Sequence, residues 1–161
     1  MFTQNSHPAE YNFGGSRARM LVSGKHSGGS YCMIEMFSPA GRATPAHRHA
    51  DEIETIHMLD GEMNVNIEGV VHTVHAGETL TFERGTTHQL LNQSDQTARY
   101  LIVCVPAGFD EFVEQCSEPL SALAEPSPPD QAAKDKMRAA APRFNLTLVP
   151  PQTAAEAVPT R

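Results

Sequence analysis

Gly41-Arg42-Ala43-Thr44-Pro45-Ala46-His47-Arg48-His49-Ala50-Asp51-Glu52-Ile53-Glu54-Thr55-Ile56-His57-Met58-Leu59-Asp60-Gly61 is the stretch whose reading decides the fold. His47 and His49 stand two residues apart, so in an extended chain both imidazoles fall on one face, where they can converge on one ion. Glu54 has the opposite parity. Residues 50–53 must therefore include a turn or bulge before its carboxylate can point the same way. Once it does, Ile56 and Met58 share its face.

Downstream, Met63, Val65 and Ile67 alternate with Glu62, Asn64, Asn66 and Glu68, the pattern of a strand with one wet and one buried face. Asp60-Gly61, Glu68-Gly69, Ala76-Gly77 and Arg84-Gly85 punctuate the region at regular intervals, as hairpin turns do. Further strands are expected at Met20–Val22, Tyr31–Phe37, Thr79–Phe82, His88–Asn92 and Arg99–Val105. Short strands spaced in this way indicate an all-β sandwich or barrel. His88 arrives from a later strand, with Leu90 and Asn92 on its side of the sheet.

Three neutral imidazoles and one carboxylate suit a borderline divalent ion such as Zn, Ni, Co, Fe or Mn. The metal-ligand set is thus His47, His49, Glu54 and His88. Four protein ligands leave one or two coordination places for water, substrate or oxygen, and the residual positive charge favours an anionic ligand. His7, His26, His57, His72 and His75 are expected in loops or on outer faces.

The stretch resembles the first motif of the cupin superfamily, G(x)5HxH(x)3–4E(x)6G, which Gly41, His47, His49, Glu54 and Gly61 reproduce in full. Gly77, Gly85, His88 and Asn92 match the second motif, G(x)5PxG(x)2H(x)3N, in register, with Glu83 standing where the pattern has proline. The resemblance implies an all-β cupin fold: a double-stranded β-helix, or jelly-roll, barrel with a short C-terminal helical extension. The run Pro106-Ala107-Gly108-Phe109-Asp110-Glu111-Phe112 and the helical segments after it resemble the extension of bacterial quercetin 2,3-dioxygenase-like cupins. That narrower resemblance implies a metal-dependent dioxygenase acting on a flavonol or similar enolisable aromatic with O2. Glu54 would then serve as both ligand and base, and Met36, Ile56, Met58, Phe82 and Leu90 would line an apolar substrate pocket. Other cupins are isomerases, cyclases or plain small-molecule binders, and the fold alone does not choose among them.

The rest of the chain bounds these readings. Its 161 residues, 40% apolar, suit one folded unit. The divisions expected are a flexible arm over residues 1–16, the barrel over 17–105, a helical and extended segment over 106–151 that packs on it, and a disordered tail over 152–161. A formal charge of −7 argues against nucleic acid as a partner. No apolar run is long enough for a membrane span and the N-terminus lacks a secretory pattern, so a cytoplasmic location is expected. Cys32, Cys104 and Cys116 fit neither a disulfide framework nor a zinc pattern and are read as buried thiols. Tyr31, Met33 and Phe37, on the face opposite Cys32, Ile34 and Met36, suggest a homodimer burying the outer set.

Overall fold

Alternation between Glu62 and Glu68 becomes a strand whose Met63 and Val65 are buried while Asn64 and Asn66 lie on its other face. It is one of twelve strands in the computed structural model, which describes residues 1–150. In chain order these are β1 (Glu10–Phe13), β2 (Ser16–Val22), β3 (Cys32–Ser38), β4 (His47–His49), β5 (Ile53–Asp60), β6 (Glu62–Ile67), β7 (Val70–His75), β8 (Thr79–Phe82), β9 (His88–Leu91), β10 (Ala98–Val105), β11 (Glu118–Pro119) and β12 (Leu146–Leu148). Helices α1 (Gly24–Ser27), α2 (Phe109–Cys116) and α3 (Gln131–Ala140) complete the described elements, with a 3-10 turn over Ala141–Phe144.

The strands form two antiparallel sheets, one ordered β11-β1-β2-β3-β10-β5-β8 and the other β12-β4-β9-β6-β7. Their inner faces share one core, to which the first contributes Ile34, Ile56 and Met58 and the second Met63, Val65 and Leu90. This is the expected all-β jelly-roll. The β6–β7 hairpin turns on Glu68 and Gly69, at φ 51° and 90°, the paired left-handed conformation that matches the twist of two-residue hairpins. At Gly61 (φ 74°) space matters too, because a Cβ there would lie 3.2 Å from the Thr97 carbonyl oxygen.

The expectation of a flexible arm over residues 1–16 needs correction. Residues 10–13 form β1, which pairs with both β2 and β11. Phe13 holds it down, its ring meeting those of Phe109 and Phe112 edge-on at 5.8 and 6.0 Å between centroids. Only Tyr11 and Phe13 carry apolar alternation in this polar segment, too short a pattern to mark a strand. At the other end, β12 pairs with β4 so that Leu146 lies opposite His49 and Leu148 opposite His47. The expected tail over 152–161 and residue 151 lie outside the described residues.

Asp110, at the start of α2, accepts hydrogen bonds from the Gly24 and Gly108 amides at 2.7 and 3.0 Å, tying α2 to α1. The three cysteines are buried and free, and Cys32 and Cys104 face each other across β3 and β10. On the outer face of β3, Glu35 is buried between Arg19 and Arg99, and both guanidinium groups lie over the Phe37 ring at 5.2 and 5.6 Å. Part of the outer apolar row is thus roofed by the chain's own cations. No helix among the described residues is long and apolar enough to cross a membrane.

Candidate metal centre

The ligand set is assembled from both sheets. His47 and His49 project inward from β4, and His47 pairs directly with His88 of β9 in the smaller sheet. Between His49 and Glu54 the chain leaves that sheet through residues 50–52 and enters β5 of the larger one, where Glu54 stands opposite Phe82 and Cys104. The parity mismatch in the sequence is therefore the crossing between the two layers. Ligand atoms of His47, His49, Glu54 and His88 all lie within 4.8 Å of one another, and all four residues are buried. Oε2 of Glu54 is 2.9 Å from Nε2 of His49 and 3.2 Å from Nε2 of His88.

The hydrogen bonds behind the ligands test whether this cluster fits an ion. Nδ1 of His47 lies 2.9 Å from the Pro45 carbonyl, and Nδ1 of His88 lies 3.0 Å from the Thr86 carbonyl. Nδ1 of His49 lies 2.5 Å from Oε2 of Glu52. Each acceptor can take only a proton, which fixes the N–H on Nδ1 and leaves Nε2 of a neutral ring with its lone pair turned to the cluster. Nε2 of His49 is buried and has no hydrogen-bond partner, the Glu54 oxygen beside it being poorly aligned for one. Three imidazole lone pairs and a carboxylate converging in a dry interior repel one another unless a cation sits among them. The residues fit a divalent first-row ion, with the three Nε2 atoms and Glu54 as the donors.

Electrostatics without an ion point the same way. Burial and the neighbouring His88 bring His47 down to about 4, keeping it neutral. Burial alone would also lower His49, but Glu52 and Glu54 outweigh it and carry it up to about 9. Burial would raise the Glu54 carboxyl, yet the imidazoles of His49 and His88 beside it hold it well below the usual carboxylate range. The cluster thus keeps a proton on His49 where an ion would otherwise stand.

Glu52, which the motif reading passes over, joins this centre to the C-terminal segment. Its Oε2 meets His49, while its Oε1 accepts a 2.7 Å hydrogen bond from the Phe109 amide at the start of α2. A Cβ at Gly108 would lie 2.9 Å from that oxygen, so glycine leaves room for the approach. The only signal was a second acidic residue two places before Glu54. Where the second motif departs from its pattern, the turn at Glu83 is closed by other bonds. The Gly85 amide donates to the His49 carbonyl at 2.7 Å, and Nε of Arg84 donates to the Asp51 carbonyl at 2.7 Å.

A cavity of about 550 Å³ opens onto the cluster, and His47 and Glu54 are part of its wall. Of the residues expected to line a pocket, Met36 and Leu90 do so; Ile56, Met58 and Phe82 do not, and that expectation is corrected at these three. Ile56 and Met58 are wholly enclosed between the sheets, and Phe82 stacks flat on His88 with ring centroids 4.0 Å apart. The wall is completed instead by Phe13, Tyr100, Phe109, Phe112 and Met137, none of which the motifs touch. Burial and the charge of Glu54 push the Tyr100 hydroxyl well above its usual range, so it stays a proton donor. His7, His26, His72 and His75 are exposed, and His57 bonds Thr79 outside the barrel. Asn92 clamps a turn, donating to the Ser38 and Gln96 carbonyls at 2.8 Å.

Comparison with known proteins agrees with this architecture. Residues 33–104 match the Cupin domain family model. The quercetin 2,3-dioxygenase of Bacillus subtilis (strain 168) is 29% identical over 87 residues, which cover 54% of this chain and 26% of that protein. This chain therefore matches only about a quarter of that relative's length. Among solved structures, KdgF from Halomonas sp. superposes with a TM-score of 0.59 at 14% identity, covering 69% of this chain and 97% of that one. A predicted oxalate decarboxylase from Thermotoga maritima gives 0.57 at 23% identity, covering 66% and 99%. At these identities the structural likenesses speak for the fold alone. Two facing antiparallel sheets, both ligand motifs and the Cupin domain match over residues 33–104 together give this chain the cupin fold.

Proposed function

We propose that the chain is a metal-dependent dioxygenase that opens an enolisable aromatic of the flavonol type. The observation that carries the reading is the apolar cavity opening onto a cluster of which only His47 and Glu54 reach the wall. His49 and His88 are shielded behind them, so a ligand in the cavity meets the centre from one side. When bound, a divalent ion supplies a Lewis-acidic centre that stabilises a ligand oxyanion. Glu54 faces the ligand and takes the proton of its enolic hydroxyl. That transfer needs a carboxylate oxygen not already holding an ion, because coordination and protonation compete for the same lone pairs. Tyr100 offers an O–H donor from the same wall. Phe109, Phe112 and Phe13 give the apolar surroundings a planar ring requires and keep water from the opened face.

The 29% identity to a quercetin 2,3-dioxygenase supports the oxygen-consuming reading over an isomerase or cyclase. Oxygen consumption by metal-loaded protein with a flavonol tests it. Uptake matched by loss of flavonol absorbance is expected; tight flavonol binding without uptake would favour isomerase or cyclase chemistry. The proposal includes a cytoplasmic homodimer. Its support is three free thiols and the half-buried outward side chains of Met33, Leu101 and Val103 on adjacent strands. A monomer in sedimentation at micromolar concentration would remove the dimer without touching the chemistry.

A further inference from the structure

The chain carries a formal charge of −7 with only 12 lysines and arginines, yet three of those bases, Arg42, Lys134 and Arg138, line this one cavity. Glu54 is the sole acid on the wall among the described residues, and it belongs to the metal cluster. Arg138 is neutralised by Asp135 at 2.9 Å. Arg42 has no such partner: among the described residues its side chain makes no ion pair, and its Nε is buried without a hydrogen-bond acceptor. That enclosed nitrogen is out of a ligand's reach, but the terminal guanidinium nitrogens are neither enclosed nor hydrogen-bonded among the described residues, and from the cavity wall they can meet an acceptor on a ligand.

The placement of Arg42 is built into the fold. Its side chain lies against Gly15, in the turn between β1 and β2, where φ is 85°. A Cβ at Gly15 would come 2.9 Å from Nε of Arg42 and 3.3 Å from Cζ. A side chain at Gly15 would press on the guanidinium, so glycine leaves Arg42 its room there. Apolar side chains of Phe13, Met36, Phe112 and Met137 make up much of the remaining wall, and within this lining a planar fork with an unused donor matches a carboxylate.

We propose that Arg42, helped by the charge of Lys134, binds a carboxylate on the ligand. The substrate class is then an apolar, enolisable molecule bearing a carboxylate apart from its metal-seeking oxygens, with an uncharged flavonol acting as a surrogate. The inference rests on the reading of this cavity as the ligand site, and it names a group that an uncharged flavonol lacks.

Calorimetric titration of the metal-loaded full chain with naphthalene-2-carboxylate, naphthalene-2-methanol and 2-naphthyl phosphate tests it without turnover. The carboxylate should bind about tenfold or more tighter than the alcohol, as a charge-assisted pair implies. Arg42→Gln should erase that preference with metal content unchanged, and Arg42→Lys should restore part of it. Equal binding of acid and alcohol by the wild type would overturn the proposal. So would a preference that survives Arg42→Gln, which would put the anion on the metal, or a stronger preference for the phosphate. Oxygen uptake with a flavonol but no Arg42-dependent preference would leave the dioxygenase standing and sink the carboxylate site; the preference without uptake would do the reverse.

Discussion

The barrel segment from Gly41 to Asn92 and the chain ends folded against it both line the cavity, beside Met36 of β3 and Tyr100 of β10, and they differ in kind. The barrel segment supplies His47, Glu54 and Leu90 from strands paired on both sides, with His47 braced by the Pro45 carbonyl. The ends supply Phe13 from β1, Phe109 and Phe112 from α2, Met137 from α3 and Leu148 from β12, outside the Cupin domain match at residues 33–104. Much of the apolar wall therefore comes from segments that motif reading does not touch. Glu52 joins the two, one oxygen on His49 and the other on the first amide of α2.

The largest separation between the regions should come from Glu54→Gln, which keeps the size and a weak oxygen donor but removes the base. Turnover per bound metal should fall by about 10²–10⁴-fold, while metal occupancy falls only in part. Raising the pH, which ionises a flavonol in solution, should recover some of the rate. Near-normal oxygen consumption by the variant would remove Glu54 as the base.

Glu52→Gln probes the joint. An amide can still meet the Phe109 N–H through its oxygen, but it no longer offers a carboxylate to Nδ1 of His49. Metal affinity should drop by about 10–100-fold in competition with a chelator, with α2 still in place by circular dichroism. Unchanged affinity would reduce Glu52 to a helix anchor and separate the two regions.

Why the ligands were legible and the cavity was not follows from how each is encoded. His47, His49 and Glu54 lie within one short stretch, and strand parity alone demanded the turn between them that proves to be the crossing from one sheet to the other. His88 needed only the strand that carries it. The alternation of Met63, Val65 and Ile67 likewise placed β6 because the pattern is local. Phe13 and Phe112 meet across nearly a hundred positions of sequence, and no local pattern announces such a contact. Ile56 and Met58 share the face of Glu54 in the sequence; parity says that they point inward, but not that the opposite sheet covers them. Arg42 sits inside the motif stretch, but its distinction is a missing partner and not a residue type.

Proton competition offers a smaller effect confined to the barrel half. Without an ion, His49 holds its proton up to about 9 and His47 is neutral down to about 4. Binding an ion must release the His49 proton below its raised pKa, so affinity should climb as pH rises, by about tenfold per unit per proton released between about pH 6 and 8. Calorimetry in buffers of different ionisation enthalpy reads that release. A flat affinity across the window would mean that His49 carries no proton to displace.

The wall should respond least, and in the opposite sense. Phe112→Leu trims a ring that packs against Phe13 and Phe144, leaving every ligand untouched. KM for a flavonol should rise by up to about tenfold from the lost apolar contact, with metal content unchanged. Loss of metal in this variant would show that the chain ends also hold the centre together.

Elemental analysis of untagged protein purified without chelators, alongside His49→Ala and His88→Ala, asks whether the cluster of His47, His49, Glu54 and His88 holds an ion. About one first-row divalent ion per chain is expected in the wild type and little in either variant, with the barrel still folded by circular dichroism. A wild type that takes up none of Zn, Ni, Co, Fe or Mn, or a full equivalent retained by both variants, would contradict this reading.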